Sequence, residues 1–261
     1  MLNICALSSG SSGNAIYVGT ERTKILVDAG ISAREISRRL SSLGVAPHDL
    51  AGILITHEHT DHIRGLRVFV NRYQIPVYST EETWYYLEKQ MIPLYLQRVI
   101  HSHGSFAVED LQIESFPIPH DAADPVGFKI GFDGKALGVV TDLGHIPAYL
   151  HERLDEVQLI FLEANHDVDT LKRGTYPAFL KQRILGHRGH LSNDTAGDFV
   201  SVLAGKGLKK IMLGHLSQNN NTPKLALSAV AAKLGQIGCQ AGVDIQIDCC
   251  HHGQLSGLIT I

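Results

Sequence analysis

Ile53-Leu54-Ile55-Thr56-His57-Glu58-His59-Thr60-Asp61-His62 is the stretch that decides the fold. Its opening apolar, β-branched residues predict a short buried strand over Ile53–Ile55. Four side chains able to bind a cation, His57, His59, Asp61 and His62, then fall within six positions, and a helical pattern follows at Ile63. Side chains alternate along an extended backbone, so both imidazoles of His57-x-His59 emerge on one side and can meet one cation. Asp61 and His62 turn at the helix start and are placed to serve a second. Zinc and manganese both accept such mixed nitrogen and oxygen donors. A polar loop of unrelated histidines is the bland alternative, and the density of ligands after a buried strand argues against it.

Working outward, short β-branched apolar runs recur and predict strands at Lys24–Val27, Val77–Tyr78, Gly127–Ile130, Leu137–Val140, Leu159–Leu162 and Ile211–Leu213. Helical patterns lie between them. One runs from Ser32 or Ala33 to Leu43, with Ile36, Leu40 and Leu43 on one face; others are Ile63–Tyr73, Glu81–Gln90, Tyr176–Leu185, Asp194–Leu203 and Pro223–Leu234. The first half is richer in paired strands and the second in strand–helix alternation. No repeat, low-complexity linker or long charge run marks a boundary, so residues 1–261 are expected to form one layered α/β domain.

Three further ligand-type residues share a position. His120 follows the strand-like Leu111–Phe116, Asp142 follows Leu137–Val140, and His215 follows Ile211–Leu213. Each stands where a strand ends and a loop opens at the sheet edge, the usual place for a site in an open α/β sheet. Singly each reads as structural; beside the His-x-His-x-Asp-His segment they complete a ligand set for two cations.

Bulk composition narrows the function. The chain has 261 residues, 44% of them hydrophobic and 19% charged, within the range of one domain with a sizeable core. No run reaches the roughly 18–20 apolar residues of a membrane span. The start, Met1-Leu2-Asn3-Ile4-Cys5-Ala6, lacks a basic region and a long apolar stretch, so no export signal is read. With Cys5, Cys239, Cys249 and Cys250 forming no framework, free thiols in a reducing cytoplasm are expected. A net charge of −3 excludes whole-molecule attraction to a polyanion, so a nucleic-acid role needs a local basic surface or bound cations.

Asp28, His57-x-His59-x-Asp61-His62, His120, Asp142 and His215, in that order, resemble the five motifs of the metallo-β-lactamase superfamily. The resemblance covers nearly the whole chain and implies a four-layer αβ/βα sandwich with two divalent metal ions at the shared sheet edge. It implies that His57, His59 and His120 hold one metal, that Asp61, His62 and His215 hold the other, and that Asp142 bridges them. Asp61 is also counted among the catalytic groups. Asp28 is implied to orient the ligand loop.

Finer motifs resemble the YycJ/WalJ subgroup: Leu7-Ser8-Ser9-Gly10-Ser11-Ser12-Gly13-Asn14, His120-Asp121-Ala122, Glu163-Ala164-Asn165-His166-Asp167, Gly189-His190-Leu191-Ser192-Asn193 and Gly214-His215-Leu216-Ser217-Gln218-Asn219-Asn220. That resemblance implies a cytoplasmic, manganese-using exonuclease acting 5′ to 3′ on double-stranded DNA, with zinc as the other candidate metal. The subgroup is also similar to ribonuclease Z, which implies a proton relay made by Glu163 and His190. The chain lacks the long inserted arm of ribonuclease Z and the extra domain of ribonuclease J, which argues against RNA processing.

A general acid is worth about 10²–10⁴-fold where the leaving alkoxide needs a proton, and His190 oriented by Glu163 is the candidate. Thioesters discharge a good leaving group and need no such acid, so the relay favours phosphodiesters. The stretch Thr170–Asn193 carries Lys172, Arg173, Lys181, Arg183 and Arg188 and no acid, and could track a phosphate backbone. A solvated helix face explains it equally well. Ser11, Ser12 and Asn14 in the Gly-Ser loop, and Asn219 and Asn220 after His215, are candidate substrate contacts. Alternatives are a phosphodiesterase for small cyclic or activated nucleotides, a thioester or lactone hydrolase, and a regulatory protein with a vestigial site. Cys249-Cys250-His251-His252 makes a poor chelate because its ligands are adjacent. His101, His103, His145, His166, His187 and His251 are expected to be solvent-facing or hydrogen-bonded loop residues. Trp84 is expected in the core.

Overall fold

Strand Asn3–Ser8 (β1) shows how the molecule is layered. Ile4 and Ala6 join one apolar cluster, while Cys5 and Leu7 between them join another. Alternating side chains that are all buried require cover on both faces, and this strand has it.

The computed structural model describes all residues, Met1–Ile261. One sheet has the spatial order β14 (Ile259–Thr260), β1, β2 (Ala15–Gly19), β3 (Lys24–Val27), β4 (Leu50–Leu54), β5 (Val77–Thr80) and β6 (Gln97–Ile100). The other has the order β13 (Gln246–Cys249), β12 (Lys210–Gly214), β11 (Leu159–Glu163), β10 (Lys135–Val140), β9 (Val126–Phe132), β8 (Leu111–Pro117) and β7 (Ser105–Val108). The inner faces of both sheets pack on each other through residues such as Val18, Leu54, Phe128 and Phe161. Helices α1 (Ala33–Ser42) and α3 (Leu66–Tyr73) cover the first sheet through Ile36, Leu40, Phe69 and Val70. Helices α8 (Asn193–Ala204) and α9 (Pro223–Gln236) cover the second through Phe199, Val200, Val230 and Leu234. The result is the expected αβ/βα sandwich.

Local chemistry starts the helices. Ser32, Ser192 and Thr222 each accept a backbone N–H of the first turn, and Pro223 adds its fixed φ to the third. The helix predicted over Ile63–Tyr73 is interrupted. A four-residue helix α2 (Thr60–Ile63) ends and α3 begins after Gly65, whose amide donates to Ala29 O and where a Cβ would fall 2.0 Å from Ile31 O. Glu81–Gln90 divides into α4 (Glu81–Leu87) and a 3₁₀ turn over Glu88–Gln90. Two short helices, α5 (Ala148–Arg153) and α6 (Val168–Arg173), follow the predicted strands of the second sheet. Helix α7 (Ala178–Leu185) starts two residues later than its periodicity indicates, since Pro177 disfavours a helical backbone at Tyr176. Trp84, expected in the core, is only partly buried: it packs against the edge of the first sheet's outer cluster with Nε1 donating to Arg98 O.

Register places the site. Along the parallel strands Val140 pairs with Leu162 and Leu162 with Leu213. Two residues further on, Asp142 and His215 therefore leave the sheet at matching height, with Glu163 just below them. The ends of β3 and β4 come to the same rim from the first sheet, carrying Asp28 and the Thr56–His62 loop. Asp28, Asp142 and His215 all have positive φ, 63°, 57° and 53°, a conformation uncommon outside glycine that turns the chain sharply as each strand ends.

Candidate metal centre

Every sequence-predicted ligand reaches this rim. The ligand atoms of His57, His59 and His120 lie within 4.8 Å of one another, as do those of Asp61, His62 and His215. Asp142 stands between the two groups: Oδ2 is 3.1 Å from His62 Nε2, while Oδ1 is 3.1 Å from His215 Nδ1 and 4.0 Å from His120 Nε2. A carboxylate in contact with both groups is placed to bridge them.

The outer nitrogens of the imidazoles are tied from behind. His62 Nδ1 is 2.7 Å from Asp28 Oδ2, His57 Nδ1 is 3.0 Å from Thr56 Oγ1, His120 Nδ1 is 3.3 Å from Gly189 O, and His215 Nδ1 is 2.9 Å from Glu163 Oε1. Asp28 also accepts the Thr56 amide and hydroxyl, so one buried carboxylate fixes the loop and one of its rings. Each Nε2 is left facing inward. This is how proteins set the tautomer and aim of a metal-binding histidine.

Three buried atoms of the cluster, His57 Nε2, His215 Nε2 and Asp142 Oδ2, have no hydrogen-bond partner. Buried polar atoms left unsatisfied are costly and rare, and here they converge on one cleft beside ionised carboxylates. Divalent cations satisfy all three, so the residues fit a two-metal site. Electrostatics agree. Burial pushes the Asp142 carboxyl up, but the imidazoles of His215 and His62 more than offset it and hold it well below its ordinary value. Burial and the neighbouring His62 hold His57 well below its own. Asp142 and His57 thus take the forms that bind a cation. At His62 and His215 burial is outweighed by the facing carboxylates, which raise both well above the ordinary value, so that a cation bound there would replace their protons.

Glu163, fully buried, joins the two halves of the chemistry. Oε1 accepts from both His190 Nδ1, at 2.7 Å, and His215 Nδ1, at 2.9 Å, while Oε2 accepts the amides of Leu143 and Leu191. Burial raises its pKa, and the two imidazoles outweigh that and leave it at about 2. The same carboxylate raises His190 against the effect of burial. His190 keeps 18% of its side chain exposed and lines the cleft, a space of about 260 Å³ that also exposes Ser11, His59, Asp61 and Asp142. The sequence pairs Glu163 only with His190; its hold on His215 appears only once β11 and β12 are side by side.

The candidate substrate contacts divide. Ser11 lines the cleft. Ser12 Oγ meets His252 Nε2 at 3.2 Å, and Asn219 donates to the Tyr176 hydroxyl, so both stand at the rim. Asn14 and Asn220 are buried and occupied within the scaffold, which corrects the reading of them as substrate contacts. The Asn14 side chain meets Gly10 N and His62 Nε2, and the Asn220 side chain meets Ser217 Oγ. A second correction concerns His166, which is buried, has no hydrogen-bond partner at either ring nitrogen, and is pushed down to about 4 by burial. Backbone pairing with Ser192 and Asn193 takes it inside rather than leaving it to solvent. His101, His103, His187 and His251 are exposed or half-exposed, and His145 hydrogen-bonds to His187 O.

Residues 23–216 match the model of the β-lactamase superfamily domain. The chain belongs to that superfamily. Among curated members, exodeoxyribonuclease WalJ of Streptococcus pneumoniae is 38% identical over 248 residues, covering 92% of this chain and 91% of the relative. Exodeoxyribonuclease YycJ of Bacillus anthracis is 36% identical over 249 residues, covering 94% of each. Among solved structures, the metallo-β-lactamase fold protein YhfI of Bacillus subtilis superposes with a TM-score of 0.72 over 98% of this chain and 100% of its own, at 13% identity, a likeness of fold. Divalent metal ions are the cofactors that membership implies, and the His and Asp cluster at the sandwich rim offers donor atoms that could hold them.

Proposed function

We propose that the protein is a two-metal phosphodiesterase acting on nucleic acid, specifically a DNA exonuclease that works 5′ to 3′. The observation that carries this reading is the Glu163–His190 pair beside a complete ligand set, joined to 38% identity with an exodeoxyribonuclease over 92% of the chain. His57, His59 and His120 would hold one cation, Asp61, His62 and His215 the other, with Asp142 between. Bound there, the cations supply an activated water and neutralise charge on the phosphoryl oxygens. Ligands come from both sheets, so residues 1–261 act as one domain.

The chain's own residues do the rest. Glu163 accepts from His190 Nδ1 and so keeps that proton on the ring, leaving Nε2 as the end that faces the cleft. Protonated His190 donates from Nε2 to the leaving alkoxide and returns to the neutral tautomer that Glu163 favours. Asp28 and Thr56 hold the ligand loop while this occurs. Manganese is the metal we favour over zinc on the resemblance to manganese-using YycJ/WalJ exonucleases, since the mixed donor set itself accepts either ion. We assign the protein to the cytoplasm, consistent with four free thiols. No helix is long and apolar enough to cross a membrane.

The direct test incubates purified protein and Mn²⁺ with 5′-phosphorylated duplex DNA of defined ends. Stepwise shortening from the 5′ end, lost in His59→Ala, is expected. Turnover of bis(p-nitrophenyl) phosphate with intact DNA would instead point to a small phosphodiester as substrate.

A further inference from the structure

One wall of the cleft is built by a single segment. Tyr176, Leu180, Arg183 and Ile184 line it, the last three from α7. Arg183 is fixed through one nitrogen only: Nε donates to Asp121 Oδ2 at 2.6 Å, and Asp121 Oδ1 lies 3.3 Å from His120 Nε2. The guanidinium is thereby held at a set distance from the metal ligands. Its two terminal amino groups make no hydrogen bond within the protein, and on this half-exposed, cleft-lining side chain they remain available as a fork that suits a phosphate.

Beside it stands Phe179, 72% exposed and outside every apolar cluster. Phe179 and Arg183 are four residues apart on the helix and so are neighbours on its surface. Tyr176, one turn earlier, brings a second ring to the cleft, its hydroxyl accepting from Asn219 at 3.0 Å. Burying little of its area on folding, Phe179 gains little from the fold, and its neighbour Arg183 gives the surface a cationic character in a stretch without any acid from Thr170 to Asn193. An exposed aromatic ring that shares a helix face with the cleft-lining Arg183 is suited to stacking on an unpaired base.

We propose that Tyr176, Phe179 and Arg183 form a nucleotide subsite, in which Phe179 stacks on a base at the end of a strand, Tyr176 borders the same space and Arg183 takes the adjacent phosphate. This rests on the nuclease reading above for its substrate. The subsite holds the strand end so that only one phosphodiester reaches the metal ligands, and the base it grips is unpaired even when the rest of the DNA is duplex.

Binding tests this apart from catalysis. The full-length protein is titrated, in Ca²⁺, against a fluorescein-labelled 5′-phosphorylated duplex with a short unpaired 5′ end, and anisotropy gives Kd. Phe179→Ala is expected to weaken binding roughly tenfold and Phe179→Trp to restore it. Tyr85→Ala, which removes an equally exposed aromatic away from the cleft, should leave Kd unchanged. On an oligonucleotide abasic at the terminal positions, Phe179→Ala should have no further effect. Equal Kd values for the wild-type protein and Phe179→Ala on the intact oligonucleotide overturn the subsite, whatever the enzyme's activity. A wild-type protein that binds through Phe179 yet degrades no DNA would keep the subsite and remove the exonuclease reading.

Discussion

The two sheets contribute to the centre in opposite styles. The first gives a continuous loop, Thr56–His62, in which four ligands follow one another and a single carboxylate, Asp28, ties both the backbone and His62. The second gives one residue per strand end, His120, Asp142, Glu163 and His215, with His190 from the loop before α8, and nothing in the local sequence joins them. The loop depends on close backbone packing: Asn14 N donates to Asp61 O at 2.7 Å, and a Cβ on Gly30 would fall 1.6 Å from that same carbonyl. The strand ends depend on parallel register. A metal centre can thus be half motif and half topology, and each half fails in its own way.

Removing the residue where the halves meet has the largest expected effect. Asp142→Ala should cut DNA degradation at least ~10³-fold, since a bound cation contributes several kcal/mol of transition-state stabilisation and each 1.4 kcal/mol is about tenfold. Elemental analysis should show the protein losing metal. Next is His190→Ala, expected to lower kcat about 10²–10³-fold on DNA while metal content stays at the wild-type level. The loss should shrink on bis(p-nitrophenyl) phosphate, whose leaving group needs no proton. A loss of equal size on both substrates would refute the acid role.

The supporting carboxylates separate the two styles most sharply. Asp28→Asn and Glu163→Gln should each weaken metal affinity about 10–100-fold, because each orients a ligand imidazole. Only Glu163→Gln should also lower kcat at saturating metal, because only Glu163 holds His190 as well. If the two variants behaved alike at saturating metal, the shared hold of Glu163 on His215 and His190 would have no catalytic meaning.

The smallest effect concerns the scaffold of the first half. Glu35 bonds Arg38 and the buried Arg39, whose guanidinium reaches the carbonyls of Leu7 and Gly253. Hydrogen bonds from Arg38 and Arg39 lower the Glu35 pKa from 4.5 to about 2. A carboxyl depressed on folding stabilises above its unfolded value and loses that contribution as pH falls through its folded one. Glu35→Gln should therefore be less stable than wild type by under about 1 kcal/mol at neutral pH, given the exposure of Glu35 and Arg38. The gap should narrow between pH 4.5 and about 2 in denaturant titrations.

The same division governs what the sequence revealed. His57 to His62 were legible because period-two alternation and a helix start are local rules. His120, Asp142 and His215 were legible as strand ends, since β8, β10 and β12 carry clear apolar runs. Glu163 was half legible: its partner in the acid relay was anticipated, but its bond to His215 arises from the Leu162–Leu213 register, which one sequence does not display. Asn14 and Asn220 sit in polar loops that read as surface, yet their amides close hydrogen bonds inside the fold. His166 likewise reads as a loop residue, and only its pairing across to Ser192 takes it inside. The late strands β13 and β14 carry weak patterns because each lies at the edge of its sheet and owes its form to a neighbour.

Anomalous diffraction from crystals of the full-length protein grown with Mn²⁺ tests the two-metal centre most directly. Two anomalous peaks about 3.5–4 Å apart are expected, with Asp142 between them, one against His57, His59 and His120 and the other against Asp61, His62 and His215. A single peak, or two peaks that leave His120 or His215 outside ligation distance, would contradict the account.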